Sequence, residues 1–334
     1  KNINSTSMIL DHFKRNFNRN VTLLLLCGGG VLLLGIYYTT SCSSANNCWI
    51  TTTTDINEDE EIKTLITTTL EEEEEGIINA WYEGNVTTDS GRMYKIVEEL
   101  QHDDGAFTQG LTYANGKLYE SDGLYEQSSV RVLDPQTGDV IEKVMMDPSV
   151  FAEGMTYCPI HNKLIQIIWK NAHGYVYDAD NITAPPIEFR YTTTKRNEGW
   201  GITYDTDRNE LIVTDGSANL IFWDPNCYND GECTPKEDKP PIQVKRLNGK
   251  PAKKLNEIEY WRGRVVANVW QTDLLLIIHP ETGIVEKEYD FGDIFPDRPR
   301  NADVFNGISV SDHPDIIYVT GKRWGRMFKV KLLV

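Results

Sequence analysis

The sequence is poor in positive charge. Its 33 lysines and arginines stand against 50 aspartates and glutamates, which gives the 334-residue chain a formal net charge of −17. A chain with this balance offers no basic surface to a phosphate backbone, so nucleic acid is excluded as a partner. Much of the acidic excess is local, because residues 55–75 hold ten acids against Lys63. Such a run is typical of a solvated spacer without fixed structure.

The spacing of a metal site is also missing. The six histidines are scattered among turns and strand edges, and the six cysteines do not form the two close pairs of a zinc site. We therefore predict no catalytic metal. Cys42 lies near Cys48, and Cys227 near Cys233, so each pair could form a small-loop disulfide in an oxidising compartment. Cys158 is left without a partner and is expected to be a buried thiol.

Charged residues are absent from the apolar run at 21–38, which is just long enough to cross a bilayer. Lys14, Arg15 and Arg19 precede this run, and no basic residue follows it before Lys63. The positive-inside rule then predicts a cytoplasmic N terminus and a type II signal-anchor. The alternative is a signal peptide cleaved in the small-residue stretch TTSCSSA, which would release a secreted protein.

The predicted organisation is a cytoplasmic tail at 1–20, a transmembrane helix at 21–38, an acidic spacer at 39–92 and a folded domain at 93–334. The folded domain is expected in the lumen of the secretory pathway or outside the cell. Asn85 and Asn181 begin the glycosylation sequons NVT and NIT, which would be modified on that route. We expect a monomer that contacts the membrane through residues 21–38.

Helical periodicity is scarce after Tyr94, and one phrase recurs instead. GLTY, GMTY, GITY and GISV begin at residues 110, 154, 201 and 307, and EIEY at 257 fits the same slot with the glycine replaced. Each phrase is followed by a turn and a second β-rich run. A period of 40–50 residues with several short strands per unit predicts an all-β, five-bladed β-propeller. The runs at 93–100 and 327–334 are expected to pair in one blade and close the ring.

Residues at the same position in each repeat predict a ligand-binding site. The first strand of each blade lines the central channel, so residues at one phase should converge at one end of it. The residues directly before each repeat phrase are Gln109, Glu153, Trp200, Asn256 and Asn306. A second ring of side chains is expected from the second strands. Its members lie 13 to 15 residues after the first residue of a repeat phrase, and they are Trp169, Asp215, Trp270 and Lys322. Aromatic walls with a few polar groups are typical of a small-ligand pocket.

Taken singly, these residues have plainer interpretations. Glu153 could pair with Lys322 as a structural contact, Asn256 and Asn306 could be turn residues, and the tryptophans could be packing between blades. The shared phase favours the functional interpretation for the set.

The motifs that carry these residues resemble one family. FTQGL (107–111), FAEGMTY (151–157), EGWGIT (198–203), LNEIEY (255–260), ANVWQTD (267–273) and VTGKRW (319–324) are similar to the plant and bacterial type of glutaminyl cyclase. That family is a five-bladed propeller, and the resemblance covers roughly residues 93–334. It implies a glutaminyl-peptide cyclotransferase, an acyltransferase that converts N-terminal glutamine of peptides or proteins to pyroglutamate and releases ammonia.

The resemblance also implies roles for the matching positions. Glu153 corresponds to the acid/base glutamate and Lys322 to the active-site lysine. Asn256 is expected to stabilise the tetrahedral intermediate together with Lys322, and an ionised Lys322 is expected to keep Glu153 charged. The predicted substrate-binding residues are Gln109, Phe107, Trp200, Trp270, Trp169 and Asn306.

Two other functions stay open on the sequence. A calcium-dependent, lactonase-like propeller hydrolase would need several channel carboxylates or asparagines around its ion. A membrane-tethered binding propeller would carry the same pocket without catalysis. No cofactor is expected for cyclisation, although carbonyls of the channel could hold a structural calcium ion.

Overall fold

The computed structural model describes residues 93–333 with their side chains. Ahead of them it gives only the backbone of two hairpins, in which Leu24–Cys27 pairs with Gly30–Leu33 and Ile36–Ser44 pairs with Asn47–Thr54. The tail, transmembrane segment and spacer predicted for residues 1–92 fall outside the part with described side chains, so they stay predictions. Within the described part, no helix is long and apolar enough to cross a membrane.

Residues 94–332 form five antiparallel sheets of four main strands, which confirms the predicted five-bladed propeller. The phrases GLTY, GMTY, GITY, EIEY and GISV all lie in the innermost strand of a blade. From the inner to the outer edge, the strands are Thr108–Ala114, Lys117–Asp122, Ser129–Leu133 and Val140–Met145 in blade 1; Ala152–Cys158, Lys163–Ile168, His173–Asp178 and Ile187–Tyr191 in blade 2; Gly201–Asp205, Glu210–Thr214, Asn219–Trp223 and Ile242–Gln243 in blade 3; Leu255–Trp261, Arg264–Val269, Leu274–Ile278 and Val285–Asp290 in blade 4; Phe305–Val310, Ile316–Gly321, Arg326–Leu332 and Tyr94–Gln101 in blade 5.

Blade 5 closes the ring. Its outermost strand, Tyr94–Gln101, comes from the start of the domain and pairs antiparallel with Arg326–Leu332 from the end. This is the predicted pairing of the two runs. It joins the ends of the domain in one sheet and leaves no gap between the first and last blades.

Glycine in the repeat phrase allows neighbouring inner strands to approach closely. A Cβ on Gly110 would lie 2.3 Å from the backbone nitrogen of Met155 in the next blade, and one on Gly154 would lie 2.7 Å from the Cα of Gly201. A side chain at either position would therefore clash with backbone. The glycine is a requirement of ring packing.

Glu257 takes the glycine position in blade 4 and reaches across the channel. Its Oε1 accepts a hydrogen bond from the Leu111 amide of blade 1 at 3.3 Å. Burial raises the pKa of Glu257 well above its ordinary value, and the neighbouring Glu259 adds to the rise. Glu257 and Glu259 are therefore buried carboxylates inside the channel.

The loop insertion in blade 3 is held by a disulfide. Cys227 and Cys233 are bonded, as predicted, around the short 3-10 helix Cys227–Asp230. Glu232–Cys233 adds a two-residue parallel strand to the outer edge of blade 2. Cys158 is a free, buried thiol, which confirms that prediction as well.

Candidate active site

Four of the five innermost strands have an irregular register where the sequence predicts a site residue. The pairing shifts between Thr108 and Gly110, between Ala152 and Met155, between Leu255 and Ile258, and between Phe305 and Ile308. A β-bulge redirects a side chain and ends regular pairing. In blade 3 the strand begins at Gly201, so its site residue, Trp200, lies just ahead of the strand. The inner strands all begin at the same end of the channel, and the predicted residues lie there.

Glu153 is buried at the centre of this end, with 5% of its surface exposed. No described residue donates a hydrogen bond to its carboxylate. Burial raises the pKa of Glu153 well above its ordinary value; Lys322 opposes the rise and Glu198 adds to it. Lys322 therefore favours the ionised form of Glu153, while the loss of water around the carboxylate opposes it.

Lys322 lies in the same pocket. It is 4% exposed, and its Nζ sits 4.7 Å from the centre of the Phe107 ring. Burial lowers the pKa of Lys322, while the charges of Glu153 and Asp303 act in the opposite direction. The two ionisable groups influence each other without an ion pair within 4.0 Å.

Aromatic rings connect Lys322 to the other blades. Phe107 packs edge-on against Phe151 with ring centres 6.1 Å apart, and Phe151 packs against Trp169 at 5.4 Å. On the other side, Trp200 and Trp270 pack edge-on at 5.4 Å. These five rings include all four aromatic residues predicted for the site. They form the wall of one pocket.

Glu198 joins the two halves of this wall, and the sequence analysis did not assign it a role. Its Oε2 accepts a hydrogen bond from Trp169 Nε1 at 3.3 Å and another from Trp200 Nε1 at 3.2 Å. It is also close enough to Glu153 to raise that residue's pKa, after the larger effect of burial. Glu198 therefore orients two indoles and adds a negative charge near the acid/base candidate. Phe151 is the second residue of the wall that the sequence analysis left unassigned.

The amide side chains divide into two kinds. Gln109 is 3% exposed, and its Oε1 is buried without a hydrogen-bond donor among the described residues. Asn256 Nδ2 donates to Asn306 Oδ1 at 2.8 Å, and Asn306 Nδ2 donates to the carbonyl of Thr108 at 2.9 Å. An unpaired buried acceptor such as Gln109 Oε1 is free to take a hydrogen bond from water or from a ligand. Asn306 is fully buried with both ends of its amide paired, so it lies behind Asn256 and positions it.

Asp215 of the predicted second ring has a structural role. Its Oδ2 accepts hydrogen bonds from Thr194 Oγ1 at 2.6 Å and from the Lys195 amide at 2.7 Å. Its Oδ1 accepts the Ser217 amide at 3.0 Å. The carboxylate therefore fixes the loop that leads to Trp200.

The opposite end of the channel is separate from the predicted site residues. A surface depression lined in part by Trp261, Arg262 and His313 opens where the inner strands end, at the opposite end of the channel from Glu153. None of the predicted site residues lines it. Within residues 93–333, no group of three or more histidine, cysteine, aspartate or glutamate side chains is placed to hold a metal ion.

Comparison with known proteins gives one consistent result. The family model described as glutamine cyclotransferase matches residues 68–332, so its match begins within the predicted spacer. A glutaminyl-peptide cyclotransferase of Arabidopsis thaliana is 36% identical over 245 residues, which is 71% of each chain. The crystal structure of Myxococcus xanthus glutaminyl cyclase superposes with a TM-score of 0.60 at 29% identity, covering 72% of this chain and 96% of that one. The chain belongs to the glutamine cyclotransferase family.

Proposed function

We propose that this pocket converts an N-terminal glutamine of peptides or proteins to pyroglutamate and releases ammonia. The observation that carries the proposal is a buried carboxylate, Glu153, that faces Lys322 inside a wall of five aromatic rings. In the reaction, the free α-amine attacks the γ-carboxamide carbon of the same residue. A carbon–nitrogen bond forms, the bond to the amide nitrogen breaks, and that nitrogen leaves as ammonia.

The aromatic wall supplies orientation. Nucleophile and electrophile belong to one residue, so holding the reactive rotamer of its side chain lowers much of the barrier. The edge-on pair of Trp200 and Trp270 limits the space around a glutamine side chain from one direction, and Phe107 limits it from another. The hydrogen bonds of Glu198 fix the indoles of Trp169 and Trp200, so the shape of the pocket is set before substrate arrives.

Glu153 moves the proton. The α-amine must lose a proton as it attacks, and the departing nitrogen must gain one, so one carboxylate can act first as base and then as acid. A peptide α-amine has a pKa of about 7.7–8.0. Burial brings the pKa of Glu153 closer to that range than an ordinary carboxylate would be. A raised pKa makes this carboxylate a stronger base towards the amine, and its protonated form can then return the proton to the departing nitrogen.

Lys322 and the amides bind the charge that develops. The tetrahedral intermediate carries an oxyanion, which fixed donors in a dry site stabilise strongly. Lys322 Nζ and the amide of Asn256 are the candidates, with Asn256 held by Asn306. Gln109 Oε1 lacks a donor among the described residues, so it is suited to accept a hydrogen bond from the substrate amine.

Ammonia release from Gln-Ala-Ala, with pyroglutamate identified by mass spectrometry, tests the proposal. The expected result is turnover that persists after treatment with a chelator, since no step needs a cofactor. Glu153→Gln, which keeps the size of the side chain, should lower kcat about 10²–10⁴-fold without changing the circular dichroism spectrum. Full activity of that variant would refute the role of Glu153. Turnover abolished by the chelator would instead support a metal-dependent propeller enzyme.

The membrane tether and the secretory location belong to the same proposal. The Cys227–Cys233 disulfide suits an oxidising compartment, and Asn181 is exposed in a turn where a glycan would fit. We propose a type II orientation with the propeller on the luminal or extracellular side. Carbonate extraction of membranes and a mobility shift after glycosidase treatment would test it. A protein that is fully extracted, or a mobility that does not change, would contradict the tether or the glycosylation respectively.

A further inference from the structure

Besides the buried Lys322, four cationic side chains lie over rings of the pocket wall. Lys170 Nζ is 3.8 Å from the centre of the Trp169 ring, and Lys195 Nζ is 5.3 Å from that of Trp200. Lys254 Nζ is 5.2 Å from the Trp270 ring, and the Arg323 guanidinium is 5.8 Å from the Phe107 ring. We call Lys170, Lys195, Lys254 and Arg323 the cationic rim. The rim surrounds the pocket, because its members come from loops of different blades.

The rim cations are available to a ligand. Within residues 93–333, none of the four forms an ion pair with a carboxylate. Lys195 Nζ donates to the carbonyl of Gly216 at 3.3 Å, and Lys254 Nζ donates to Gln271 Oε1 at 2.6 Å, which leaves further donors on each ammonium. Lys170, Lys254 and Arg323 are exposed to solvent.

Three acids near the aromatic wall are engaged in contacts of their own. Glu198 accepts from two indoles, Asp215 is buried against its own loop, and Asp273 pairs with Arg298 at 3.1 Å. Exposed acids also lie in the loops at this end, namely Asp104, Glu126, Asp147, Asp297 and Asp303, and Asp303 is close enough to act on the charge of Lys322. A cationic rim is unusual on a chain whose formal net charge is −17.

We infer that the cationic rim selects peptides with acidic side chains directly after the N-terminal glutamine; this inference rests on the proposed function. The reacting glutamine has to reach the buried Glu153, so the rest of the peptide leaves the pocket past the exposed residues of the rim. An extended chain covers about 3.3–3.6 Å per residue, which brings substrate residues two to four across the rim. Carboxylates at those positions complement the unpaired cations.

The test compares kcat/KM for two substrates, Gln-Asp-Asp-Ala and Gln-Ala-Ala-Ala. We expect the acidic peptide to be favoured about tenfold, from two exposed charge contacts. The ratio should fall towards one in 1 M NaCl, where the screening length is only about 3 Å. In the double variant Lys170→Met, Lys254→Met, which keeps apolar stems on the rings, the ratio should also approach one. Lys143→Met, an exposed lysine on the outer strand of blade 1, is the matched control and should leave the ratio as in the wild type.

Comparing the two substrates shows whether a negative result concerns the role of the rim or the proposed cyclase activity. A ratio of about one in the wild-type enzyme at low salt, with Gln-Ala-Ala-Ala turned over, would overturn the role of the rim and leave the cyclase proposal standing. A high ratio that survives both salt and the double variant would also overturn it. Absence of turnover with both peptides would overturn the proposed function, and this inference with it.

Discussion

Replacing Glu198 with alanine should raise KM for a glutaminyl peptide about 30-fold. The carboxylate accepts hydrogen bonds from Trp169 Nε1 at 3.3 Å and from Trp200 Nε1 at 3.2 Å. Alanine removes both acceptors, so both indoles lose the contact that fixes their rotation. The wall of the pocket would then be ordered only when substrate binds, which weakens binding.

The magnitude follows from the two contacts. A hydrogen bond to a charged group contributes about 1.5–3 kcal/mol to stability. Glu198 is only partly buried and both distances are long, so we discount each contact to about 1 kcal/mol. The sum is about 2 kcal/mol, which corresponds to a change in affinity of about 30-fold. Glu198→Gln keeps an acceptor oxygen and should raise KM only a few-fold.

Both variants should move the pH profile in the same direction. Burial raises the pKa of Glu153 and Glu198 raises it further, because a neighbouring negative charge disfavours ionisation. Removing that charge lowers the pKa of Glu153, so its ionised form persists to lower pH. Activity that requires ionised Glu153 as the base should therefore extend to lower pH in Glu198→Gln and in Glu198→Ala alike.

Steady-state ammonia release between about pH 5 and 9 measures both effects. The reasoning about the indoles would be wrong if Glu198→Ala kept the KM of Glu198→Gln. The reasoning about charge would be wrong if the acidic limb of kcat/KM stayed in place or moved to higher pH. The two outcomes are independent, because one depends on hydrogen bonding and the other on charge.

Three further predictions follow from single contacts. Lys322→Met should move the acidic limb of kcat/KM to higher pH, opposite to the Glu198 variants, because Lys322 lowers the pKa of Glu153; an unmoved limb would contradict the coupling. Asn306→Ala should lower kcat/KM about tenfold. The substitution leaves the buried Asn256 amide without its hydrogen-bond acceptor, which costs about 1–3 kcal/mol. Wild-type kinetics would show that Asn256 does not need this partner. Cys227→Ser should lower Tm by about 4–8 °C, because a disulfide across such a short loop contributes about 2 kcal/mol to stability. The variant should keep the kcat of the wild type. A lower kcat with an unchanged Tm would contradict this prediction.

Much of the fold could be predicted because the repeat has a physical cause. Each phrase forms the innermost strand of a blade, where glycine is needed for neighbouring backbones to approach within contact distance. A residue directly before that strand must then face the same end of the channel in every blade. The convergence of Gln109, Glu153 and Asn256 follows from this geometry, without any knowledge of the loops.

The sequence could not show which polar side chains already have hydrogen-bond partners within the protein. Asn306 and Asp215 have the correct phase, but the structure places hydrogen-bond partners on both sides of their polar groups. Whether an amide faces a ligand or a neighbouring blade depends on contacts between residues 50 to about 200 positions apart. No local pattern records such contacts.

Glu198 and Phe151 were missed although the repeat also contains their signal. Side chains two residues apart along an extended chain point to the same side. The residues two positions before Gln109, Glu153, Trp200, Asn256 and Asn306 are Phe107, Phe151, Glu198, Lys254 and Val304. Four of these five contact the aromatic wall or form part of it.

The two phases together explain how one fold can carry both the chemistry and the selection of substrate. Positions one residue before the repeat phrase hold the reacting group and its amides, deep in the pocket. The positions two residues before these lie nearer the mouth of the pocket. There Lys254 reaches the Trp270 ring and remains exposed. Substitutions at the outer phase can therefore change which peptides enter without moving Glu153, because the glycine-spaced inner strands hold the deeper ring in place.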